Sequence, residues 1–226
     1  HEVVAVDTDA ETVTVEGGGE RFEQPYGDLL VATGAHAVTD PIEGSHRDMA
    51  FTMHGLDSAA AVRAALAHPD EPAVATSLED VDADLVDRYA AMDPPERVAI
   101  VGGGYVGVEM AEAFRAHGLA THVFQRGPHL LSPFGDSVCE HVADHLREQG
   151  VELHLNCSVE ELDGGDRVES VVHENGRVDV DLALVGIGVA PNSHLLADTP
   201  IELGESGAVA VDGYGRTNVE NVYAAG

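Results

Sequence analysis

The chain has 226 residues, 44% of them hydrophobic, with 25 glycines, which suits one large or two small globular domains and excludes a disordered acidic tail. It contains no run of eighteen apolar residues, so no membrane helix is expected. A net charge of −30, with 11 basic residues that are all Arg, repels nucleic acid and leaves a small molecule as the expected partner.

Residues 1–27 alternate apolar and polar side chains around Glu2 to Val6, Thr12 to Glu16 and Arg21 to Glu23, separated by turn-rich Asp7 to Ala10 and Gly17 to Gly19. That pattern predicts a three-stranded meander. Asp28 to Ala35 follows as an apolar strand running into the small-residue turn Thr33, Gly34 and Ala35. Asp57 or Ser58 is placed to cap a helix ending near Ala67. In 69–96, Ser77 with Asp80 forms a capping box, and Leu78, Val81, Leu85 and Tyr89 form a helical stripe. Nine acids against one Arg make the opposite face anionic, as expected of a solvated surface helix.

The stretch from Arg97 to Arg126, RVAIVGGGYVGVEMAEAFRAHGLATHVFQR, is the centre of the chain. A β-branched run to Val101 leads into Gly102, Gly104 and Gly107 in G-x-G-x-x-G spacing. A stripe of Val106, Met110, Ala113 and Phe114 then continues at helical period, Gly118 ends the helix, and Thr121 to Phe124 forms a second strand. Strand, glycine turn, helix and strand make a βαβ unit of about thirty residues. Gly102 permits the tight turn, Gly104 admits a pyrophosphate, and Gly107 lets helix and strand lie close. The expected ligand is a dinucleotide with its phosphates at the helix N-terminus. Where an NAD-selective site carries an acid, this chain has Gln125 and then Arg126. Arg126 attracts a 2′-phosphate and Gln125 can bind a plain ribose, which tilts the expectation toward NADPH with NADH left open.

Gly127-Pro128 then makes a loop, and Val138, Val142 and Leu146 mark a helix ending at Gly150. His141 and His145 lie four apart without an HExxH motif, so no metal site is expected. Val151 to Leu155 reads as a third parallel strand, Arg167 to Val180 as a hairpin about Asn175-Gly176, and Asp181 to Gly188 as a strand delivering Gly186, Gly188 and Pro191 to the nicotinamide end. Cys139 and Cys157 lack CxxC spacing and are expected to be reduced thiols of a cytoplasmic protein.

A meander, then PYGDLLVATGA, GGGYVGVEMAE, VGIGVAPN and GRTNVENVYAAG, in that order, resembles the FAD-dependent pyridine nucleotide-disulfide oxidoreductases, in the branch of NADH oxidases, NADH peroxidases and coenzyme A-disulfide reductases. The resemblance implies an α/β fold, a Rossmann-like NAD(P)-binding domain with a parallel sheet, flanked by partial FAD-binding segments. Residues 1–46 would belong to the flavin domain, 47–204 to the NAD(P) domain with an acidic helical addition at 69–96, and 205–226 to the returning flavin segment. It further implies that Thr33 and Gly34 lie by the FAD, that Tyr105 covers the flavin, and that Glu109 neighbours the nicotinamide, with Val106 among the cofactor-binding residues. Phe134 stands where relatives have a Tyr near the dinucleotide, and His54 where they often have an Arg near the flavin.

The family's first GxGxxG and redox Cys would lie before His1 and its dimerisation domain after Gly226. The expected parent is therefore a homodimer carrying hydride from NAD(P)H to FAD and on to a disulfide, peroxide or oxygen, and this stretch alone is expected to be inactive. Two alternatives stay open: a ferredoxin- or rubredoxin-type reductase flavoprotein, and a dinucleotide-binding module without turnover.

An acidic, lysine-free surface also resembles proteins of salt-loving archaea. At about 1 M salt the Debye length is about 3 Å and self-repulsion is screened. The unfolding midpoint is expected to rise between dilute buffer and molar KCl; a midpoint indifferent to KCl contradicts this reading.

Overall fold

Alternation in the first residues builds an antiparallel meander of β1 (Glu2–Asp7), β2 (Thr12–Gly17) and β3 (Glu20–Pro25), in that order. Only Val13 and Val15 of β2 are buried in it, as a period of two requires of a strand with one covered face. The structure is a computed structural model and describes residues 1–67 and 81–226. It divides into one unit of residues 1–36 and 189–226 and another of 37–188. The expected apolar strand from Asp28 is short, β4 (Leu29–Val31), and β5 (Ala35–Ala37) follows after a break at Thr33 and Gly34.

Within 37–188 lies a five-stranded, all-parallel sheet. Its strands are β6 (Ala50–Phe51), β7 (Arg97–Val101), β8 (Ala120–Gln125), β9 (Glu152–Leu155) and β13 (Leu182–Val185), ordered β6-β13-β7-β8-β9. Alternate residues feed two cores. Val98, Ile100, Leu182, Leu184 and Val123 pack with helices α1 (Leu56–Leu66), α2 (Ala83–Ala90), α3 (Tyr105–Ala116) and α4 (Asp136–Glu148). Ala99, Val101, Ala183, Val185 and Phe124 face the antiparallel sheet of β10 (Val159–Asp163), β11 (Ser170–His173) and β12 (Gly176–Asp179).

Several expectations shift by a residue or two. Gly55, not Asp57 or Ser58, is the N-cap of α1 and gives no side-chain cap; the Asp57 carboxylate instead accepts from the Asp82 amide at 3.0 Å. Asp82 in turn caps α2 by accepting from the Asp84 and Leu85 amides. Ser77, Leu78 and Asp80 lie outside the described residues; of the stripe, Tyr89 is buried against Phe51 with ring centroids 4.7 Å apart. The buried face of α3 is Gly107, Ala111 and Phe114, and that of α4 is Cys139, Ala143 and Leu146. Val106 and Val138, members of the apolar stripes that marked these helices, are 40% and 46% exposed, because small residues rather than branched ones face the sheet. In the hairpin His173 pairs with Gly176, so Glu174 and Asn175 make the turn, one residue before the expected centre. The expected NAD(P) segment began at 47, but residues from 37 already belong to the parallel-sheet unit. Ile42 enters the core under β10–β12, and Arg47 donates to the Leu162 carbonyl at 2.9 Å.

The chain then returns to the first unit with β14 (Val189–Pro191) beside β5 and β15 (Val222–Ala224) parallel to β4. Leu196 and Ile201 are buried there with Val31 and Val222, so 189–204 packs with this unit and not with the preceding one. Among the described residues no helix is long and apolar enough to cross a membrane.

At the start of the central strands, Asp181 accepts from the Glu96 and Arg97 amides at 3.1 and 3.0 Å and from the Arg97 guanidinium at 3.2 and 2.7 Å. Burial pushes this carboxyl up, but the Arg97 and backbone hydrogen bonds together hold it below the usual range. A carboxyl depressed in the folded state stabilises above its unfolded value of about 3.9 and loses that contribution as pH falls through the folded one. Asp181→Asn should cost about 1–2 kcal/mol at pH 7, since the pair is partly exposed. Urea unfolding of both proteins should show the gap constant from pH 8 to about 5 and closing below about 4; a gap that persists at acid pH refutes the assignment.

Candidate functional site

At the end of β7 the Gly102 amide still donates to the Phe124 carbonyl, at 2.8 Å, and the backbone then turns with φ +112°. A Cβ at Gly102 would run into the Gly186 carbonyl, and one at Gly107 into the carbonyl of Gly102. Strand β7, helix α3 and the end of β13 thus meet backbone to backbone, with no room for side chains between them. Gly104 is different: it is the N-cap of α3, and a Cβ there would meet nothing within 4 Å. No side chain caps this helix, and no acid stands in its first turn. Its first amides therefore lack a side-chain partner and carry the positive end of the helix dipole, which is the arrangement that receives a phosphate.

The strand order places this corner where a ligand is expected. From β7 the chain moves through β8 and β9 to one side, and β13 lies on the other side of β7. At such a reversal a crevice is expected at the carboxyl ends of the strands, here β7 and β13, next to Gly102 and Gly186. The Gly186 amide donates to the Val101 carbonyl at 2.8 Å, and the Gly188 carbonyl accepts from Val38 at 3.0 Å, so both predicted glycines are held at this end of the sheet.

Gln125 has a different task from the expected one. Its Oε1 accepts from the Gly103 amide at 3.0 Å and its Nε2 donates to the His129 carbonyl at 3.2 Å. The Leu131 amide adds a bond to the Gly103 carbonyl at 2.8 Å, and the fully buried Leu130 packs where a Cβ on Gly103 would fall. Gln125 therefore fastens the glycine turn to the 127–131 loop. The sequence held no signal for this role. Arg126 is exposed and forms no ion pair with a described carboxylate.

Tyr105 and Phe134, expected separately near the cofactors, come together. Their rings meet edge to face at 5.8 Å while 60% and 43% exposed, so they form an aromatic rim beside the start of α3. Glu109 is exposed one turn further along the same helix, and Val106 is exposed in its first turn. Thr33 and Gly34 belong to the other unit, where Asn192 clasps them. The Thr33 hydroxyl donates to the Asn192 carbonyl at 2.7 Å, the Asn192 amide group donates to the Thr33 carbonyl at 2.9 Å, and the Asn192 backbone amide donates to Gly34 at 3.0 Å. The VGIGVAPN stretch carried this Asn, but only the pairing of β5 with β14 reveals what it holds.

Other features offer less chemistry. A groove lined by His46, Arg47, Asp48, Arg88, Gly165 and Asp166 holds guanidiniums already engaged, Arg47 by the Leu162 and Gly164 carbonyls and Arg88 by Asp48. Both cysteines are free and buried, and burial, with Glu174 nearby, pushes the Cys157 thiol up, away from a reactive thiolate.

Comparison with known proteins agrees with this geometry. The chain is 33% identical over 225 residues to an NAD(P)H sulfur oxidoreductase (CoA-dependent) of Pyrococcus abyssi, covering 100% of this chain and 45% of that protein. It is 31% identical over 230 residues to an NADH oxidase of Streptococcus pneumoniae, covering 99% and 46%. The solved structure of an NAD-dependent persulfide reductase from A. fulgidus superposes with a TM-score of 0.84 at 26% identity, over 100% of this chain and 37% of that one. The chain thus spans less than half the length of these relatives. Since the profile of the pyridine nucleotide-disulphide oxidoreductases matches residues 1–226 in full, the chain belongs to that family.

Proposed function

We propose that the whole protein is a flavoprotein oxidoreductase in which residues 37–188 bind NAD(P)H and residues 1–36 with 189–226 contribute to an FAD-binding domain. The observation that carries this reading is the corner of Gly102, Gly104 and Gly107, closed to side chains on its inner sides and open at the uncapped start of α3. It fits a pyrophosphate: the first-turn amides would donate to it, and no carboxylate in that turn opposes it. Gly186 and Gly188 leave backbone accessible at the nicotinamide end, Tyr105 and Phe134 form the apolar rim, and Glu109 stands next to them. Thr33 and Gly34, held rigid by Asn192, would lie by the flavin. The chemistry FAD supplies when bound is acceptance of a hydride, and the chain's part is to orient the two rings.

The names of the relatives, a sulfur oxidoreductase, a persulfide reductase, a coenzyme A disulfide reductase and an NADH oxidase, support a sulfur–sulfur bond or oxygen as final acceptor. The family resemblance supports a homodimer, and the acidic, lysine-free composition and two reduced thiols support a salt-rich cytoplasm. With Gln125 engaged by the glycine turn, Arg126 is the exposed cation at the ribose end. That favours NADPH over NADH.

Gly104→Ala separates binding from folding. The backbone there, at φ −80°, suits any residue, so the melting temperature should stay within a degree or two of the parent, while NAD(P)H affinity falls at least about tenfold, equivalent to about 1.4 kcal/mol. Gly107→Ala, by contrast, should destabilise by about 1–3 kcal/mol through overpacking. Arg126→Ala should weaken NADPH about fivefold to tenfold and leave NADH nearly unchanged. Fluorescence titration and thermal melts read all three. Unchanged NAD(P)H binding by Gly104→Ala, or a full-length protein that neither retains flavin nor oxidises NAD(P)H, overturns the proposal.

A further inference from the structure

A second cluster of chemistry-bearing side chains lies on the face of the parallel sheet that looks toward β10–β12. His122 of β8 is in register with Glu152 of β9, and Phe124 with His154, so the two imidazoles and the carboxylate share one side of the edge pair. His122 Nδ1 lies 3.3 Å from His154 Nε2 and 3.5 Å from Glu152 Oε2, and His154 Nε2 lies 3.7 Å from Glu152 Oε1. The two nitrogens thus face each other and a single carboxylate, each nearest a different oxygen of it, and one ligand atom from each of the three residues lies within 4.8 Å of the other two. Bonds of about 2.0–2.1 Å to a tetrahedral ion place neighbouring ligand atoms about 3.3–3.4 Å apart. The nitrogen pair, 3.3 Å apart, matches one edge of such a shell, and a turn of the exposed Glu152 carboxylate would bring one oxygen to the third corner.

The rings are also held in place. His154 stacks on Phe124 with centroids 4.3 Å apart and planes within 7°, and His173 packs against both at 5.9 and 5.5 Å. The side chains of His122 and His154 are 15% and 18% exposed and that of Glu152 66%, so the cluster reaches solvent through its carboxylate. A proton shared between the two rings satisfies the nitrogen pair alone; a cation engages the carboxylate as well.

We propose that His122, Glu152 and His154 bind a divalent first-row transition ion of the zinc class, with at least one coordination position left to water. Burial lowers the affinity of both imidazoles for protons, with Glu152 acting the other way, a direction that suits the uncharged, ligating form. The ion would tie the edge strand β9 to β8. The site shares no residue with the glycine corner and does not depend on the dinucleotide reading.

Titration of the metal-free protein with Co(II) should produce the ligand-field absorption of a four-coordinate site at one equivalent, displaced by Zn(II). His122→Gln, His154→Gln and Glu152→Gln should each weaken the ion at least about tenfold. His141→Gln combined with His145→Gln, the i, i+4 pair on α4, should leave it unchanged. Because loss of the His154 stack can loosen the edge, the unaltered protein supplies an independent reading: substoichiometric Co(II) should perturb the imidazole NMR signals of His122 and His154 before those of any other histidine. No Co(II) binding by the unaltered protein, first perturbation of other histidines, or affinity untouched by Glu152→Gln and His122→Gln overturns the site.

Discussion

The contact on which the rest of this structure depends is between backbones: Gly107 of α3 against the Gly102 carbonyl, and Gly102 in turn against Gly186. Cores are ordinarily filled by side chains, and one methylene in excess strains them. Here the packing unit is the main chain itself, so the spacing of β7, α3 and β13 is set by carbonyl radii. That spacing brings the first amides of α3 to the mouth of the sheet, where strand order reverses.

The same constraint explains why α3 presents the face it does. Once Gly107 must touch the strand, the residues four and seven positions on, Ala111 and Phe114, are the ones that follow it into the core. Val106 stands one residue off that line and is exposed. Helix α4 repeats the pattern with Cys139, Ala143 and Leu146 inward and Val138 outward. A reading that ranks residues by hydrophobicity follows the valines; close approach to a sheet selects small residues first and a large one at the far end. The βαβ order, the glycine spacing, the meander and the parallel strands were all legible, because each is a local period or a turn residue. Phe114 and Leu146 of the expected stripes are buried, but Val106 and Val138 fall one position off the buried faces, because the contact with the sheet is made by a small neighbour, Gly107 or Cys139.

What stayed hidden is what only topology assembles. Gln125 was legible as the residue at the end of β8, but its bonds to Gly103 and His129 join it to a turn and a loop on either side of it in the chain. Asn192 and Thr33 are separated by most of the sequence and meet because β14 pairs with β5. His122, Glu152 and His154 share a face only through the register of β8 on β9; in the chain nothing links them, whereas the pair that did attract notice, His141 and His145, lies on an exposed part of α4, with His145 3.6 Å from Glu112.

The charge distribution adds a last step. With 41 acids in the chain, a carboxylate-free first turn of α3 is an exception, and it falls where an anion would be received. A field of net charge −30 repels a phosphate at long range in dilute buffer, and about 1 M salt removes that repulsion beyond about 3 Å. Hydrogen bonds from the first amides act at contact distance, inside the screening length, and ionic strength weakens them far less. Attraction built from backbone dipoles thus survives both a hostile net charge and high salt, whereas a cleft relying on distant lysines would lose its pull under the second condition. A corner made of three glycines and the end of a helix is the solution that an acidic, lysine-free chain can carry.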